Sequence, residues 1–258
     1  MTRLVRLAAA GLLICCLAPE RLMAQNINSG AESFFEANQA YKNGQFQKAV
    51  DGYQKLIEAG FDTGHVYFNL GNAYFRLGAL GKAILYYERA RLLIPRDDDL
   101  AFNLAHAKEQ VVDAVGDPQS ISMAKIIGLD SFNRYEVFLI FTVVNILFFS
   151  LLAVRLYKKS EWSYYLSILA AIAISVCAGA LVLKWYGAVA DNRAVILSKE
   201  TLVRAGPDTK DIVLFKIHEG TLVNYEHKEG DWVLLHVLKD KRGWTESNQL
   251  ELLRNEIR

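Results

Sequence analysis

The sequence predicts a multi-domain protein with an all-α helical-repeat stack, a hairpin of two membrane-spanning helices and a small all-β domain. Three observations predict it. Residues recur at a fixed offset of 34 in the N-terminal half, two long apolar runs occupy the centre, and short alternating runs rich in β-branched residues fill the C-terminal part of the 258-residue chain.

The charge balance excludes a nucleic-acid-binding protein. The chain carries 29 Lys and Arg against 28 Asp and Glu, a formal charge of +1. The small basic surplus lies beside apolar runs, at Arg3 and Arg6 and again near Arg155, rather than on a folded surface. A groove that follows a phosphate backbone needs the opposite distribution, so we expect no nucleic acid as a partner.

The N-terminus is typical of a secretory signal peptide, residues 1–24. Basic residues precede an apolar run that is too short to span a bilayer, Leu7–Leu17, and Ala24 is the small residue at the expected cut. A lipoprotein signal at Cys15 would need a small residue where Ile14 stands. Cleavage after Ala24 leaves Cys177 alone, so we expect no disulfide and no cysteine-based metal site.

The two central apolar runs, residues 137–154 and 164–183, predict transmembrane helices. At about 1.5 Å per residue they span about 27 and 30 Å, the thickness of a hydrocarbon core. The connecting loop, residues 155–163, holds three cations and should face the cytoplasm. We therefore expect a bacterial inner-membrane protein, in contact with the lipid bilayer, whose N- and C-terminal domains are both periplasmic. Two buried helices of a soluble core are the alternative.

A self-comparison of the N-terminal half reveals an internal repeat. Seven residues, Gly30, Phe34, Asn38, Gly44, Lys48, Ala49 and Tyr53, recur at an offset of 34 as Gly64, Phe68, Asn72, Gly78, Lys82, Ala83 and Tyr87. Gly44 and Gly78 are predicted to end the first helix of each pair, and Gly71 is a small residue where two helices would cross. Pro95 then closes the second unit.

The string Asn69-Leu70-Gly71-Asn72-Ala73-Tyr74, followed by Ala83, Tyr87, Ala90 and Pro95, resembles the tetratricopeptide repeat. The resemblance covers residues 30–95 as two units and continues into a partial third, which gives a repeat domain over residues 30–115 and a linker over residues 116–136. Such a stack has a concave face, made by the first helix of each pair, that holds a peptide or partner segment. The resemblance places nine residues in this groove: Phe34, Asn38, Tyr41, Lys42, Phe68, Asn69, Asn72, Phe75 and Arg76. Alternatively, the aromatic residues among them only pack the helix pairs.

From Ala194 onward, six short β-rich runs separated by glycine-containing turns predict a small barrel over residues 192–254. Its segments Val203-Arg204-Ala205-Gly206-Pro207, Asp231-Trp232-Val233 and Gly243-Trp244 are similar to those of a bacterial SH3-type domain. No Pro and Tyr follow Gly243-Trp244, where polyproline-binding members have them. Tyr225, Trp232 and Trp244 are a candidate patch for a peptide or for the peptide stems of the cell wall, and equally a candidate core.

Motifs of catalysis are not found in the sequence, and we expect no enzyme, no cofactor and no metal site. The five histidines lack metal-ligand spacing, and neither a phosphate-binding glycine loop nor a nucleophile elbow occurs. The run Asp97-Asp98-Asp99 follows a proline and is predicted to begin and cap a helix.

The order of these modules resembles the Bat (Bacteroides aerotolerance) family, and the phrase Asp99-Leu100-Ala101-Phe102-Asn103-Leu104-Ala105 carries part of the likeness. The resemblance implies a non-catalytic inner-membrane scaffold. Its implied partners are membrane proteins with von Willebrand A-type domains and other Bat proteins, and indirectly a MoxR-type ATPase, in envelope integrity or oxidative-stress tolerance. The alternative is a cell-wall-sensing protein whose SH3-like domain binds peptidoglycan.

Overall fold

The computed structural model of the chain describes residues 29–113, 128–157, 161–238 and 241–254. The predicted signal peptide, residues 116–127 of the predicted linker and residues 158–160 of the predicted loop lie outside this part of the chain. The described residues form a helical stack, two long apolar helices and a C-terminal antiparallel sheet, which confirms the predicted fold class in these terms.

Five helices form the stack: α1 (residues 29–42), α2 (Phe46–Glu58), α3 (Gly64–Arg76), α4 (Leu80–Leu93) and α5 (Asp98–Glu109). The first four make two helix pairs, and α5 packs on α4. Asp97 accepts a hydrogen bond from the backbone N–H of Leu100 at 2.8 Å, which caps α5 as the acidic run predicts.

The turn between the helices of each pair is the same in both repeats. Gly44 and Gly78 have φ angles of 75° and 74°, a left-handed conformation that glycine adopts without steric cost. In each turn the residue after the glycine donates its N–H to a carbonyl five residues earlier, at 2.9 and 3.0 Å. The two glycines therefore end α1 and α3 where the repeat predicts.

The core of the stack depends on small residues at the helix crossings. Ala49 and Ala83 are fully buried, and a Cβ added to Gly71 would lie 2.6 Å from the ring of Tyr87. Tyr53 and Tyr87 are themselves buried, with about 1% of each exposed. Because these rings fill the space that the small residues leave, the helices approach closely and the repeats share one continuous core.

Two helices are long and apolar enough to span a membrane, Arg134–Tyr157 and Glu161–Val189. They pack against each other, yet only 6% of each span is buried within the protein, whereas a core helix of a soluble protein is mostly buried. The first helix starts three residues before the predicted apolar run. There Asn133 and Glu136 form a reciprocal capping box, each side chain accepting from the other's backbone N–H at 2.9 Å.

The C-terminal sheet is antiparallel in every pairing and has seven strands among the described residues, in the order β3-β2-β6-β5-β4-β1-β7. The strands are β1 (Arg193–Ile196), β2 (Glu200–Arg204), β3 (Val213–His218), β4 (Leu222–Glu229), β5 (Trp232–Leu238), β6 (Lys241–Glu246) and β7 (Leu250–Leu252). Six correspond to predicted runs, and β7 was not predicted. Gly220 and Gly230, with φ angles of 86° and 59°, form turns that the sequence does predict.

The sheet packs on the back of the second repeat through α4. Arg89 of α4 donates to the backbone carbonyls of Leu252 and Leu253, at 2.8 and 3.0 Å, and to Glu251 Oε1 at 2.8 Å. At the other end of α4, the N–H of Gly81 donates to Glu219 Oε1 at 2.8 Å. These contacts join modules that lie more than a hundred residues apart in the sequence.

A buried carboxylate lies beside this junction. Glu88 of α4 is fully buried, and three cations surround it: Arg91 Nη2 at 2.6 Å, Lys108 Nζ of α5 at 2.7 Å and Arg193 Nη1 of β1 at 3.5 Å. Arg193 also binds Asp191 at 2.7 Å. A buried charge needs such pairing, because its desolvation is otherwise too costly.

The segment after α5 forms a further contact between the stack and the sheet. Asp113 Oδ2 accepts from the backbone N–H of His218 at 2.6 Å and from the Thr221 hydroxyl at 2.7 Å, while Oδ1 lies 3.0 Å from His218 Nδ1. Burial raises the pKa of Asp113, but the hydrogen bonds from Thr221 and His218 outweigh burial and hold that pKa below its usual value. The β3–β4 turn is thereby fixed to the repeat stack.

Both outer ends of the apolar hairpin contact the folded modules. Asn133 donates to the carbonyl of Leu93 at 3.0 Å, and Arg96 forms an ion pair with Glu136. Arg254 donates to the carbonyl of Val189, the last residue of the second apolar helix, at 3.0 Å. The stack and the sheet are therefore both tied to the same end of the hairpin.

Replacing Gly71 with Leu should destabilise the repeat stack, because even a Cβ at this position overlaps the buried ring of Tyr87. We expect a loss of about 1–3 kcal/mol in the free energy of unfolding, measured by thermal unfolding of the full chain in detergent. Ala101→Leu, at an exposed position of α5, is the matched control and should leave unfolding nearly unchanged. Equal unfolding temperatures for the two variants would contradict the helix crossing described here.

Replacing Asp113 with Ala should loosen the junction, because two donors lose their acceptor; we expect a loss of about 1–3 kcal/mol. Faster hydrogen exchange at the His218 amide would report it, and Asp113→Asn, which keeps one acceptor oxygen, should show a smaller change. Since the folded-state pKa of Asp113 is depressed, its contribution is full above about pH 4 and is lost as the pH falls through that lower pKa. If acid increases hydrogen exchange at the His218 amide by the same amount in the Asp113→Ala variant as in the wild type, protonation of Asp113 is not the cause.

Candidate protein-binding groove

The concave face of the stack is built from α1, α3 and α5, and the nine predicted groove residues all lie on α1 or α3. Phe34 and Phe68 occupy equivalent positions in the two repeats. Their rings lie 6.2 and 6.1 Å from those of Tyr53 and Tyr87, so each phenylalanine packs against the second helix of its own pair. Both are only partly buried.

Two hydrogen-bonded triads connect successive repeats. Asn38 Oδ1 accepts from the Tyr53 hydroxyl at 2.6 Å and from Asn69 Nδ2 at 2.9 Å. The second triad repeats this arrangement at an offset of 34, with Asn72 Oδ1 accepting from Tyr87 at 2.7 Å and from Asn103 at 2.9 Å.

Each triad requires a protonated tyrosine, because the tyrosine hydroxyl is the donor to the asparagine oxygen. Burial raises the pKa of Tyr53 to about 12 and raises that of Tyr87 as well, so both hydroxyls stay protonated and donate even at alkaline pH values at which an exposed tyrosine ionises. The Oδ1 atoms of Asn38 and Asn72 are therefore occupied within the protein. By accepting these hydrogen bonds, Asn38 and Asn72 hold neighbouring repeats at a fixed distance from each other.

A cavity of about 190 Å³ lies on the concave face, and residues of all three units line it. Its lining residues are Tyr41, Asn72, Phe75, Arg76, Tyr87, Asn103 and His106. Four of them are among the nine predicted groove residues, while Phe34, Asn38, Lys42, Phe68 and Asn69 lie outside this cavity.

The prediction omitted three lining residues, Tyr87, Asn103 and His106. The 34-residue offset contained the signal for Asn103 and His106, because they are the equivalents of Asn69 and Asn72. These two were omitted because the predicted groove ended with the second repeat and did not continue onto α5. Tyr87 was omitted because it lies on α4, whereas the prediction placed the groove on the first helix of each pair.

Cations and aromatic rings give the cavity its chemical character. Arg76 is exposed, and its guanidinium lies 4.9 Å from the centre of the Phe46 ring. His106 lies between two rings, 5.6 Å from Phe75 and nearly parallel to Phe102 at 6.5 Å. Phe102 is 71% exposed and therefore extends the apolar surface beyond the cavity. Amide groups, aromatic faces and the exposed guanidinium of Arg76 together suit an extended polypeptide with apolar and acidic side chains.

The three residues predicted as a patch on the C-terminal domain lie on three neighbouring strands and do not share one face of the sheet. Cross-strand pairing places Trp244 opposite Leu234 and Tyr225 opposite Leu235. Because neighbouring residues of a strand point to opposite faces, Trp232 and Trp244 share a face and Tyr225 does not. Trp244 contacts the ring of His227 edge-on at 5.1 Å.

Within the described ranges, no group of three or more His, Cys, Asp or Glu side chains is placed to hold a metal ion. His218 is engaged by Asp113, and His227 by Trp244.

The geometry defines a helical-repeat module of the kind that holds partner segments on its concave face. Comparison with known families identifies the repeat: residues 64–97 match the tetratricopeptide repeat. The match covers α3 and α4, the unit predicted to end at Pro95, and the first helix pair has the same turn at Gly44 as the second has at Gly78. A comparison with curated proteins finds no match for the chain.

Asn72 and Arg76 should respond differently to substitution, although both line the cavity. Asn72→Ala removes an acceptor from the buried Tyr87 hydroxyl and should lower the free energy of unfolding by about 1–3 kcal/mol. Arg76→Ala, at an exposed position, should change it by no more than about 0.5 kcal/mol. Thermal unfolding of the full chain in detergent measures both, and a neutral Asn72→Ala would contradict the inter-repeat triad.

Proposed function

We propose that the chain is a non-catalytic scaffold of the bacterial inner membrane, which holds a partner segment in its repeat groove. The single observation that carries the proposal is the cavity of about 190 Å³ on the concave face. Residues from three successive units line it, and tetratricopeptide repeats generally mediate protein–protein contacts. The exposed cations of the groove, Lys42 and Arg76, favour a partner segment that carries acidic side chains.

The apolar hairpin anchors this scaffold in the membrane. The low burial of both helices supports a lipid environment, since exposed apolar side chains along such lengths are unfavourable in water. Aromatic residues stand at the helix ends; among them Trp162 and Trp185 are 79% and 69% exposed. With the cationic loop on the cytoplasmic side, the repeat stack and the C-terminal domain both face the periplasm.

The order of modules supports a more specific proposal. A signal peptide, repeats, a hairpin and a small β domain occur in the same order in the E member of the Bat family. On this basis the groove would hold a membrane protein with a von Willebrand A-type domain or another Bat protein, and a MoxR-type ATPase would act indirectly. The physiological role would be envelope integrity or oxidative-stress tolerance.

The C-terminal sheet favours one further function. Its seven short antiparallel strands and tight glycine turns support an SH3-type domain, and Trp232 and Trp244 share one face of the sheet. Paired aromatic side chains on one face suit stacking against a peptide or sugar. Binding of peptidoglycan by this face is therefore the alternative function.

Charge reversal in the groove should release the partner without unfolding the stack. The test variant is Lys42→Glu with Arg76→Glu, and the matched control is Lys48→Glu with Lys55→Glu, two exposed lysines on α2. Crosslinking in native membranes, followed by affinity purification and mass spectrometry, should recover the partner about tenfold less with the test variant than with the control.

Two outcomes would contradict this scaffold role. If both variants recover the same membrane proteins equally well, the groove is not their binding surface. If only cell-wall fragments are recovered, and recovery depends on Trp232 and Trp244, the peptidoglycan-binding function replaces the scaffold.

A further inference from the structure

A second cavity lies where the C-terminal sheet meets the repeat stack, on a different face from the groove. It has a volume of about 310 Å³ and is bounded by α4 on one side and by β4, β5 and β7 on the other. Its polar walls include Arg89, Tyr225, Lys228, Glu251 and Arg254. The volume falls at the lower end of the range for small-ligand sites.

The lining of this junction cavity is rich in hydrogen-bond donors. Arg89, Lys228 and Arg254 contribute three positive charges, and Glu251 is the one acidic residue that lines it. Glu251 is already bound by Arg89 at 2.8 Å. Among the described residues, Lys228 and Arg254 make no ion pair, so the cavity has an excess of positive charge that its own walls do not neutralise.

Arg89 gives the cavity a rigid floor. Only 7% of its side chain is exposed, and two backbone carbonyls and Glu251 hold the guanidinium in place. Lys228 is exposed at the rim, and Tyr225 adds a phenolic hydroxyl. A fixed arginine with a lysine and a hydroxyl group nearby is a chemically suitable setting for a phosphate group.

The position of the cavity indicates where such a phosphate comes from. Arg254, at the rim, donates to the carbonyl of Val189, where the second apolar helix ends. Trp185 and Tyr186, 69% and 67% exposed, lie one helical turn before that end, at the level expected for lipid headgroups. The rim of the cavity is thus close to the plane where phospholipid phosphates lie.

We propose that the junction cavity binds the phosphate of an anionic phospholipid headgroup in the leaflet from which the hairpin emerges. The proposal rests on the membrane anchoring proposed above. It assigns to the lipid a structural role, because a headgroup held there contacts both the repeat stack through Arg89 and the sheet through Tyr225 and Lys228.

The test measures thermal unfolding of the full chain reconstituted in vesicles of phosphatidylcholine alone or mixed with phosphatidylglycerol. We expect phosphatidylglycerol to raise the unfolding temperature of the wild type. Lys228→Glu should weaken the apparent affinity for phosphatidylglycerol about tenfold, since a charge-assisted contact is replaced by repulsion. Lys210→Glu, at an exposed turn of the same domain, is the matched control and should keep the full effect.

A second arm distinguishes the two sources of phosphate. Inorganic phosphate, added to protein in phosphatidylcholine vesicles, should have little effect if the ligand is a lipid. An equal rise in unfolding temperature with inorganic phosphate would overturn the lipid assignment. A phosphatidylglycerol effect that Lys228→Glu and Tyr225→Phe leave intact would overturn the assignment to this cavity.

Membrane anchoring is measured on the same vesicles by alkaline carbonate extraction. Extraction of the wild type would contradict the proposed anchoring and, with it, the headgroup site. Retention in the membrane with no response to phosphatidylglycerol would overturn the headgroup site alone.

Discussion

The buried carboxylate of Glu88 is the constraint on which the arrangement of the modules depends. It lies on α4 and is paired with cations from α4, α5 and β1, so one charge connects the second repeat, the third unit and the C-terminal sheet. A carboxylate without water is stable only while such partners stay in place. Removing the sheet from the stack would take Arg193 away from this buried charge and would also break the neighbouring contacts of Arg89 and Asp113.

The division of surfaces follows from this junction. The sheet occupies the back of the stack through α4, whereas the concave face is made by α1, α3 and α5 and is left accessible to a partner. The hairpin adds a third contact region, since Asn133 and Arg254 attach the outer ends of its helices to the stack and to the sheet. Groove, junction and membrane anchor are thus separate surfaces of one connected unit.

Much of the fold could be predicted from the sequence, because the relevant signals are local or periodic. The offset of 34 predicted the helix pairs, and Gly44 and Gly78 predicted the turns within them. The apolar runs predicted the two long helices. β7 was missed because three residues are too few to show alternation. The junction could not be predicted, since Glu88 and Arg89 resemble ordinary charges on a helix surface until the sheet covers them. The sequence predicted four of the residues that line the groove cavity. That Asn38 and Asn72 accept hydrogen bonds from the next repeat could be seen only in the structure.

The inter-repeat triads also give the groove a direction. Asn38 and Asn72 each offer one oxygen that accepts two hydrogen bonds, one from the tyrosine of the same repeat and one from the asparagine of the next. The third equivalent position is His106, and a neutral imidazole has a single acceptor nitrogen and cannot reproduce that geometry. A segment that lies along the groove therefore passes the two triads and then the ring of His106. Its two ends meet different chemistry, so a partner that binds in one orientation has no equivalent contacts when reversed.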